Sequence, residues 1–290
     1  MWRKMISTDA GRGLLMISPP FFYALALLAV PLGAIVLFSF WTQDFMDVDT
    51  TFTLNNYREI AEKPIYGALL KRSLFVSGCV TVITVLLAFP VAYFVSFHVR
   101  PERKSLWLFL ITIPFWTSYL IRVFLWKVIL GYNGVINTGL LNIGLIDEPL
   151  TFILYNVNAV IITLAHAFAP FAILPIFVAL EKIDRSLLEA SQDLGESRVM
   201  TFIRVTLPLA MPGVVAAVLI VFIPTIGDYV TPELMGGAGG KLIANMIQTQ
   251  FLALNNAPLG AALAIVAMLC VSAISLGFVL LNRRWLKGRS

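Results

Sequence analysis

The sequence predicts an all-α, polytopic membrane protein with six transmembrane helices. Three observations carry that expectation. Only 13% of the 290 residues are charged and 59% are hydrophobic, too little charge to cover a soluble surface of this size. Mean hydropathy is strongly positive, at +0.88. Apolar runs recur along the whole chain, each close to the roughly 20 residues that a helix needs to cross the hydrocarbon core.

The first run, FFYALALLAVPLGAIVLFSFW, belongs to a span expected over residues 14–41. It follows a basic MWRKM and is longer than a signal-peptide core, so it reads as a retained anchor. A polar, acid-bearing segment, TQDFMDVDTTFTLNNYREIAEKPIYG, separates it from a second span over 69–97. The third span is expected over 105–130 and the fourth over 152–180. Between them GYNGVINTGLLNIGLIDEPLT has turn-forming Gly and Asn around one short apolar helix. A polar interruption over 181–208 precedes the fifth span, 209–227. A glycine-rich turn and an amphipathic helix then lead to the sixth, 257–281. Pro31, Pro90, Pro114, Pro170, Pro175, Pro212 and Pro224 lie in or beside these runs, and each removes a backbone donor and tends to bend its helix.

Charge sets the expected orientation. Six spans put both termini on one side. With the termini in the cytoplasm, Arg3, Lys4, Arg12, Arg100, Arg103, Lys104, Lys182, Arg185, Arg198, Arg204, Arg283, Arg284, Lys287 and Arg289 lie inside. Only Arg58, Lys63, Lys71, Arg72 and Lys241 lie outside. That asymmetry follows the positive-inside rule. It also accounts for the net charge of +5 without nucleic acid, because no basic stripe interleaved with exposed aromatics is present.

Several chemistries are not expected. Cys79 and Cys270 lie inside apolar runs with no metal-ligand spacing. GGAGGKL at 236–242 fails as a phosphate loop: Leu242 stands where Ser or Thr would hold magnesium, and Met235 replaces the first glycine. His98 and His166 form no zinc pattern. His166 reads as a hydrogen-bonded packing residue, and a membrane-embedded enzyme built on His166 and Asp228 is the weaker alternative. No catalytic residue, metal or cofactor is expected in the chain.

The polar interruption carries the most information. RSLLEASQDLGESRVMTFIRVTLPLAMPG covers residues 185–213. Ser186 and Glu189 have capping-box spacing. The helix they start would set Leu187, Ala190, Ser191 and Leu194 on one face, and Gly195 can take the positive φ that ends it. A second amphipathic helix carries Val199, Phe202, Ile203 and Val205, with Pro208 and Pro212 marking the return to the membrane. The result is a helix–glycine–helix elbow at the cytoplasmic face. It could lie flat on lipid headgroups or dock in a groove on a partner.

LEASQDLGESRVMTFIRVTLPLAMPG resembles the EAA loop of permease subunits of bacterial ABC importers. Glu189, Ala190, Gly195, Leu207 and Pro208 match that pattern, with Ser191 where a second alanine is usual. FTLNNY, IPFWTSYLIR and GDYVTPELMGG are similar to segments of the spermidine/putrescine importer permeases. The resemblance implies a MetI-like permease fold in the bacterial inner membrane and transport by alternating access. It further implies a second, related permease, an ATPase dimer holding ATP and magnesium, and a periplasmic solute-binding protein. Glu189, Ala190, Gly195 and Pro208 would shape the ATPase-docking elbow, and Leu187, Leu194, Met200 and Phe202 would supply buried contact. Each such side chain contributes about 1.5–3 kcal/mol when fully buried.

A polyamine path needs carboxylates at intervals and aromatic faces for cation–π contact. Trp116, Tyr119, Asp228, Tyr229 and Glu233 suit that role, although each also suits an interfacial or water-facing position. Arg122 either pairs with Asp228 or snorkels toward the surface. With Lys127 it also suits an anionic or zwitterionic cargo, so an opine, an amino-acid derivative or another small amine is the alternative substrate.

Overall fold

A computed structural model describes residues 9–45 and 47–286. Arg3, Lys4, Lys287 and Arg289, counted above as cytoplasmic charge, lie outside the described residues. The chain divides into two units, one of residues 1–63 with 249–266, the other of residues 64–248 with 267–290.

In the first unit, α1 (Asp9–Phe38) is followed by a hairpin of β1 (Thr42–Asp44) and β2 (Asp47–Asp49). Its register pairs Thr42 with Asp49 and Gln43 with Val48. This antiparallel pair lies in the polar, acid-bearing segment, for which no strand was expected. The short helix α2 (Asn55–Glu62) is tied back to the end of α1. Asn56 Nδ2 donates to the carbonyls of Ser39 and Trp41 at 3.0 and 2.7 Å, and the Tyr57 hydroxyl donates to Ser39 Oγ at 2.7 Å. These bonds fasten α2 to the turn that follows α1 and satisfy two of that turn's carbonyls.

The second unit opens with α3 (Pro64–Phe97), whose first residue is a proline placed where a helix needs no N–H. It continues with α4 (Pro101–Thr112), a 3-10 turn (Ile113–Trp116), α5 (Tyr119–Ile129), α6 (Val135–Asn142) and α7 (Val157–Glu181). Next come α8 (Arg185–Asp193), α9 (Arg198–Thr201), a π turn (Phe202–Thr206), α10 (Leu207–Gly227) and α11 (Val230–Met235). Two further helices, α12 (Ile243–Leu252) and α13 (Ala257–Leu281), each begin in one unit and end in the other, and α14 (Arg283–Leu286) follows.

The core of this unit is the packing of α7 against α3 and α10, and more than half of the central stretch of α7 is buried. Val76, Val80, Ala88, Ala92, Leu164, Ala172, Ile176, Leu180, Ala210 and Ala217 form its centre. Small residues at these positions let helix backbones approach, which is how helices associate where lipid removes the hydrophobic incentive. Gly213 marks a close approach of α10 to α7. A Cβ there would sit 2.5 Å from both Ala179 Cβ and the Pro175 carbonyl. Buried hydroxyls turn inward on their own helices, with Thr81, Thr84 and Thr225 donating to the carbonyls of Ser77, Val80 and Val221.

Five described helices are long and apolar enough to cross a membrane. A sixth span arises if the segments Pro101–Trp116 and Tyr119–Ile129 are taken together, but they meet at 89°. One span was expected over 105–130, with Pro114 tending to bend it. Pro114 breaks the regular ladder, and Thr117 and Ser118 then adopt extended backbone.

Candidate functional site

The elbow lies within the second unit. α8 begins at Arg185, and its cap is Asp184, whose side chain accepts from the Ser186 N–H at 3.0 Å. The capping box expected on Ser186 and Glu189 is therefore displaced. Asp184 precedes Ser186 in the chain and is an equally good cap, so the helix starts before Ser186 can serve. The same bond from the Ser186 backbone N–H holds the Asp184 carboxyl below its ordinary range.

Gly195 ends α8 as expected. It has φ +89°, its N–H bonds the Gln192 carbonyl at 2.9 Å, and the Glu196 N–H reaches back to the Ser191 carbonyl at 3.2 Å. That pair of bonds is a Schellman motif, which satisfies two carbonyls that a helix end otherwise leaves open. Nothing lies within 4 Å of a Cβ at Gly195, so the backbone angle alone selects glycine.

The second arm differs from the expected short helix. Ser197 caps it by accepting from the Met200 N–H, and it runs without a stop through the π turn into α10. The Leu207 N–H bonds the Phe202 carbonyl, five residues back. Pro208 follows, lacking an N–H and crowding the carbonyl four residues before it. Widening the preceding turn accommodates both faults without breaking the helix. Pro208 therefore sits inside the span rather than at a boundary. Glu196 and Arg204 form an ion pair alongside this turn.

Among the expected docking residues, Leu187, Glu189, Ala190, Leu194 and Gly195 are exposed, while Met200, Phe202 and Pro208 are half-buried. Phe202 faces into the bundle, with its ring edge-on to Phe89 and Tyr93 at 5.6 and 5.8 Å between centroids. The exposed apolar rim is instead Leu187, Leu194, Val199 and Ile203, at 48, 86, 68 and 50% exposure. Ser191 turns inward, away from Leu187, Ala190 and Leu194. It is buried and lies 3.0 Å from the Thr201 hydroxyl. Helical periodicity showed that an apolar face existed, but which side of each arm meets the bundle depends on distant packing.

The expected path residues gather in part. The Tyr119 hydroxyl donates to Asp228 Oδ2 at 2.9 Å and lies 2.7 Å from Thr231 Oγ1. Asp228 Oδ1 accepts from the Val230 N–H at 3.1 Å, beside the start of α11. Glu233 Oε2 lies 3.1 Å from Asn245 Nδ2, which also donates to the Tyr229 carbonyl at 2.9 Å. Lys241 Nζ is 3.9 Å from the Glu233 carboxylate. Trp116 stands apart with its ring exposed. Arg122 donates to the Thr117 carbonyl at 3.2 Å and lies over the Phe115 ring. Among the described residues no ion pair joins Arg122 to Asp228. The unwound link at Thr117 offers the guanidinium a nearer acceptor.

His166 and Asp228 have different partners. His166 Nδ1 accepts from Trp126 Nε1 at 3.1 Å, whereas Asp228 accepts a hydrogen bond from the Tyr119 hydroxyl. The described residues contain no group of three potential metal ligands.

Apolar helices around a tightly packed core, with an exposed elbow rooted in two of them, define a polytopic membrane protein. The comparisons identify its family. The family model described as "Binding-protein-dependent transport system inner membrane component" matches residues 64–287, and the chain belongs to that family. It is a multi-pass protein of the inner membrane. It is 38% identical over 246 residues to the spermidine/putrescine transport system permease protein PotB of Haemophilus influenzae, covering 84% of this chain and 85% of that one. A shorter stretch of 69 residues is 41% identical to a PotC homolog from Mycoplasma pneumoniae, 24% of each chain. The fold matches a chain in the crystal structure of a bacterial alginate ABC transporter bound to its periplasmic protein. There the TM-score is 0.74 at 20% identity, over 99% of this chain and 98% of that one.

Proposed function

We propose that this subunit forms part of the translocation path for a polyamine such as spermidine or putrescine in an ATP-driven importer. The carrying observation is the 38% identity to a spermidine/putrescine permease over most of both chains. In this reading residues 1–290 act as one permease domain, with both termini and the elbow in the cytoplasm. An ATPase dimer, which holds the ATP and magnesium, takes the rim of Leu187, Leu194, Val199 and Ile203 into a groove. A periplasmic binding protein delivers cargo, and a second, different permease completes the path. Similarity to both PotB and PotC proteins supports that pairing.

The cargo route in this reading passes Tyr119, Tyr229, Asp228 and Glu233, with Trp116 and Arg122 at the bend. Asp228 already accepts from Tyr119 and from the chain at α11, which fixes its charge in place ahead of any ligand. A placed carboxylate beside tyrosine rings suits an ammonium group, with each cation–π contact worth about 0.5–2 kcal/mol. Arg122, with no carboxylate partner among the described residues, favours a second reading in which the same machine imports an opine or amino-acid derivative.

The test is to purify the chain with the products of neighbouring genes. ATPase stimulation by the binding protein is then measured with spermidine, putrescine and opines. Stimulation by the polyamines alone is the expected result. Stimulation only by a zwitterion would move the assignment to the second reading, and failure of any ATPase to co-purify would remove the coupling role.

A further inference from the structure

We infer that Glu181 is a positioning residue for energy coupling: its carboxylate clasps the ends of three helices at the root of the elbow. The inference rests on the transport reading above and adds the element through which elbow motion reaches the bundle.

Glu181 is the last residue of α7, and it stands four residues before the start of α8. Its Oε1 accepts from Ser96 Oγ at 2.6 Å, near the end of α3. The same oxygen accepts from Lys104 Nζ, in the first turns of α4, at 2.6 Å. Arg185, the first residue of α8, places Nη2 3.8 Å from it. Arg185 is held a second way. Its Nη2 donates to the Ser96 carbonyl at 2.7 Å, and its guanidinium lies 4.0 Å from the centroid of the Phe97 ring. One carboxylate thus joins α3, α4 and α7, and the first residue of the elbow is stacked on the same joint.

Charge makes the clasp specific. Lys104 and Arg185 converge on one anion, so removing that anion leaves two cations facing each other across the joint. Ser96 is buried and also loses its acceptor. Lys104 is mostly buried, while the Glu181 and Arg185 side chains stay partly exposed, so solvent screening is reduced chiefly on the lysine side of the joint. A push on α8 then reaches α3 and α4 through side chains held at hydrogen-bond distance. Rigid, contiguous contacts of this kind are what a coupling element needs to transmit displacement.

The test uses the assembled importer and the purified permease, with Glu181→Gln, Glu181→Lys, Lys104→Glu and the double exchange Glu181→Lys/Lys104→Glu. Amide hydrogen exchange over residues 185–196 reads the clasp without reference to cargo. Uptake per ATP hydrolysed reads coupling. Glu181→Gln and each single reversal should speed exchange by about five-fold, the scale of a partly exposed ion-pair network, and lower uptake per ATP severalfold while the ATPase still co-purifies. The double exchange should restore both. Unchanged uptake per ATP in Glu181→Gln, or singles that the double exchange does not rescue, would overturn the inference. Failure of the transport reading would look different: the unaltered assembly would import no polyamine, while exchange in the elbow would still respond to Glu181.

Discussion

The hydroxyls of Ser191 and Thr201 lie 3.0 Å apart, both buried, and tie the two arms of the elbow across Gly195. A small residue is needed at position 191 for the arms to close, and serine adds a bond to that fit. We expect Ser191→Ala to leave the Thr201 hydroxyl short of a partner, at a cost of about 1 kcal/mol, the scale of an unsatisfied buried group. Thr201→Val should cost a similar amount and the double variant less than the sum. A double-mutant cycle on elbow hydrogen exchange measures the coupling.

Gly195 tests backbone conformation in isolation, because space around it is open. Gly195→Ala should destabilise the elbow by about 1–2 kcal/mol through the left-handed φ alone, and Gly195→Asn by less. Gly195→Pro and Glu189→Arg should separate ATP hydrolysis from uptake while leaving membrane insertion intact. Wild-type uptake from both would reduce the elbow to an interfacial helix.

Gly213 tests packing. Any side chain there meets Ala179 and the Pro175 carbonyl at 2.5 Å. Gly213→Val should lower thermal stability by about 1–3 kcal/mol, the usual penalty for overpacking, and reduce the yield of assembled complex. Gly33, which has nothing within 4 Å of its Cβ position, is the control and should tolerate valine.

Asp228 separates charge from scaffold. Asp228→Asn keeps an oxygen for the Val230 N–H, sets an amide donor against the Tyr119 hydroxyl in place of Oδ2, and removes the anion. It should raise the KM for polyamine uptake severalfold with little change in maximal rate. Asp228→Ala should also loosen the start of α11 and lower both. Equal kinetics for Asp228→Asn and the unaltered protein would remove this carboxylate from the path.

Asp184 gives the elbow a pH dependence. Its carboxyl is held below the ordinary range by the Ser186 N–H, so the cap contributes fully above the ordinary carboxylate pKa of about 4. That contribution is lost as pH falls through the lower, folded value. Exchange at residues 185–188 should therefore accelerate in acid. In Asp184→Asn, which caps without titrating, the acceleration should disappear.

Much of this protein is determined locally. The membrane class follows from apolar run length, because backbone groups in lipid must bond within their own helix. The elbow follows from Gly195, whose positive φ no other residue adopts as readily, and from the spacing of Glu189, Gly195 and Pro208. Asp184 was also legible as a cap, two residues before the Ser186 N–H it accepts from, although the capping-box spacing at Ser186 pointed elsewhere. Tertiary structure decided the rest. The 89° bend after Trp116 and the π turn before Pro208 depend on how each helix accommodates a missing donor. That Phe202 turns inward while Val199 and Ile203 face out depends on Phe89 and Tyr93, more than a hundred residues away. The bonds of Tyr119 to Asp228 and of Ser96 and Lys104 to Glu181 span 109, 85 and 77 residues, and no local periodicity encodes which distant side chain completes a pair.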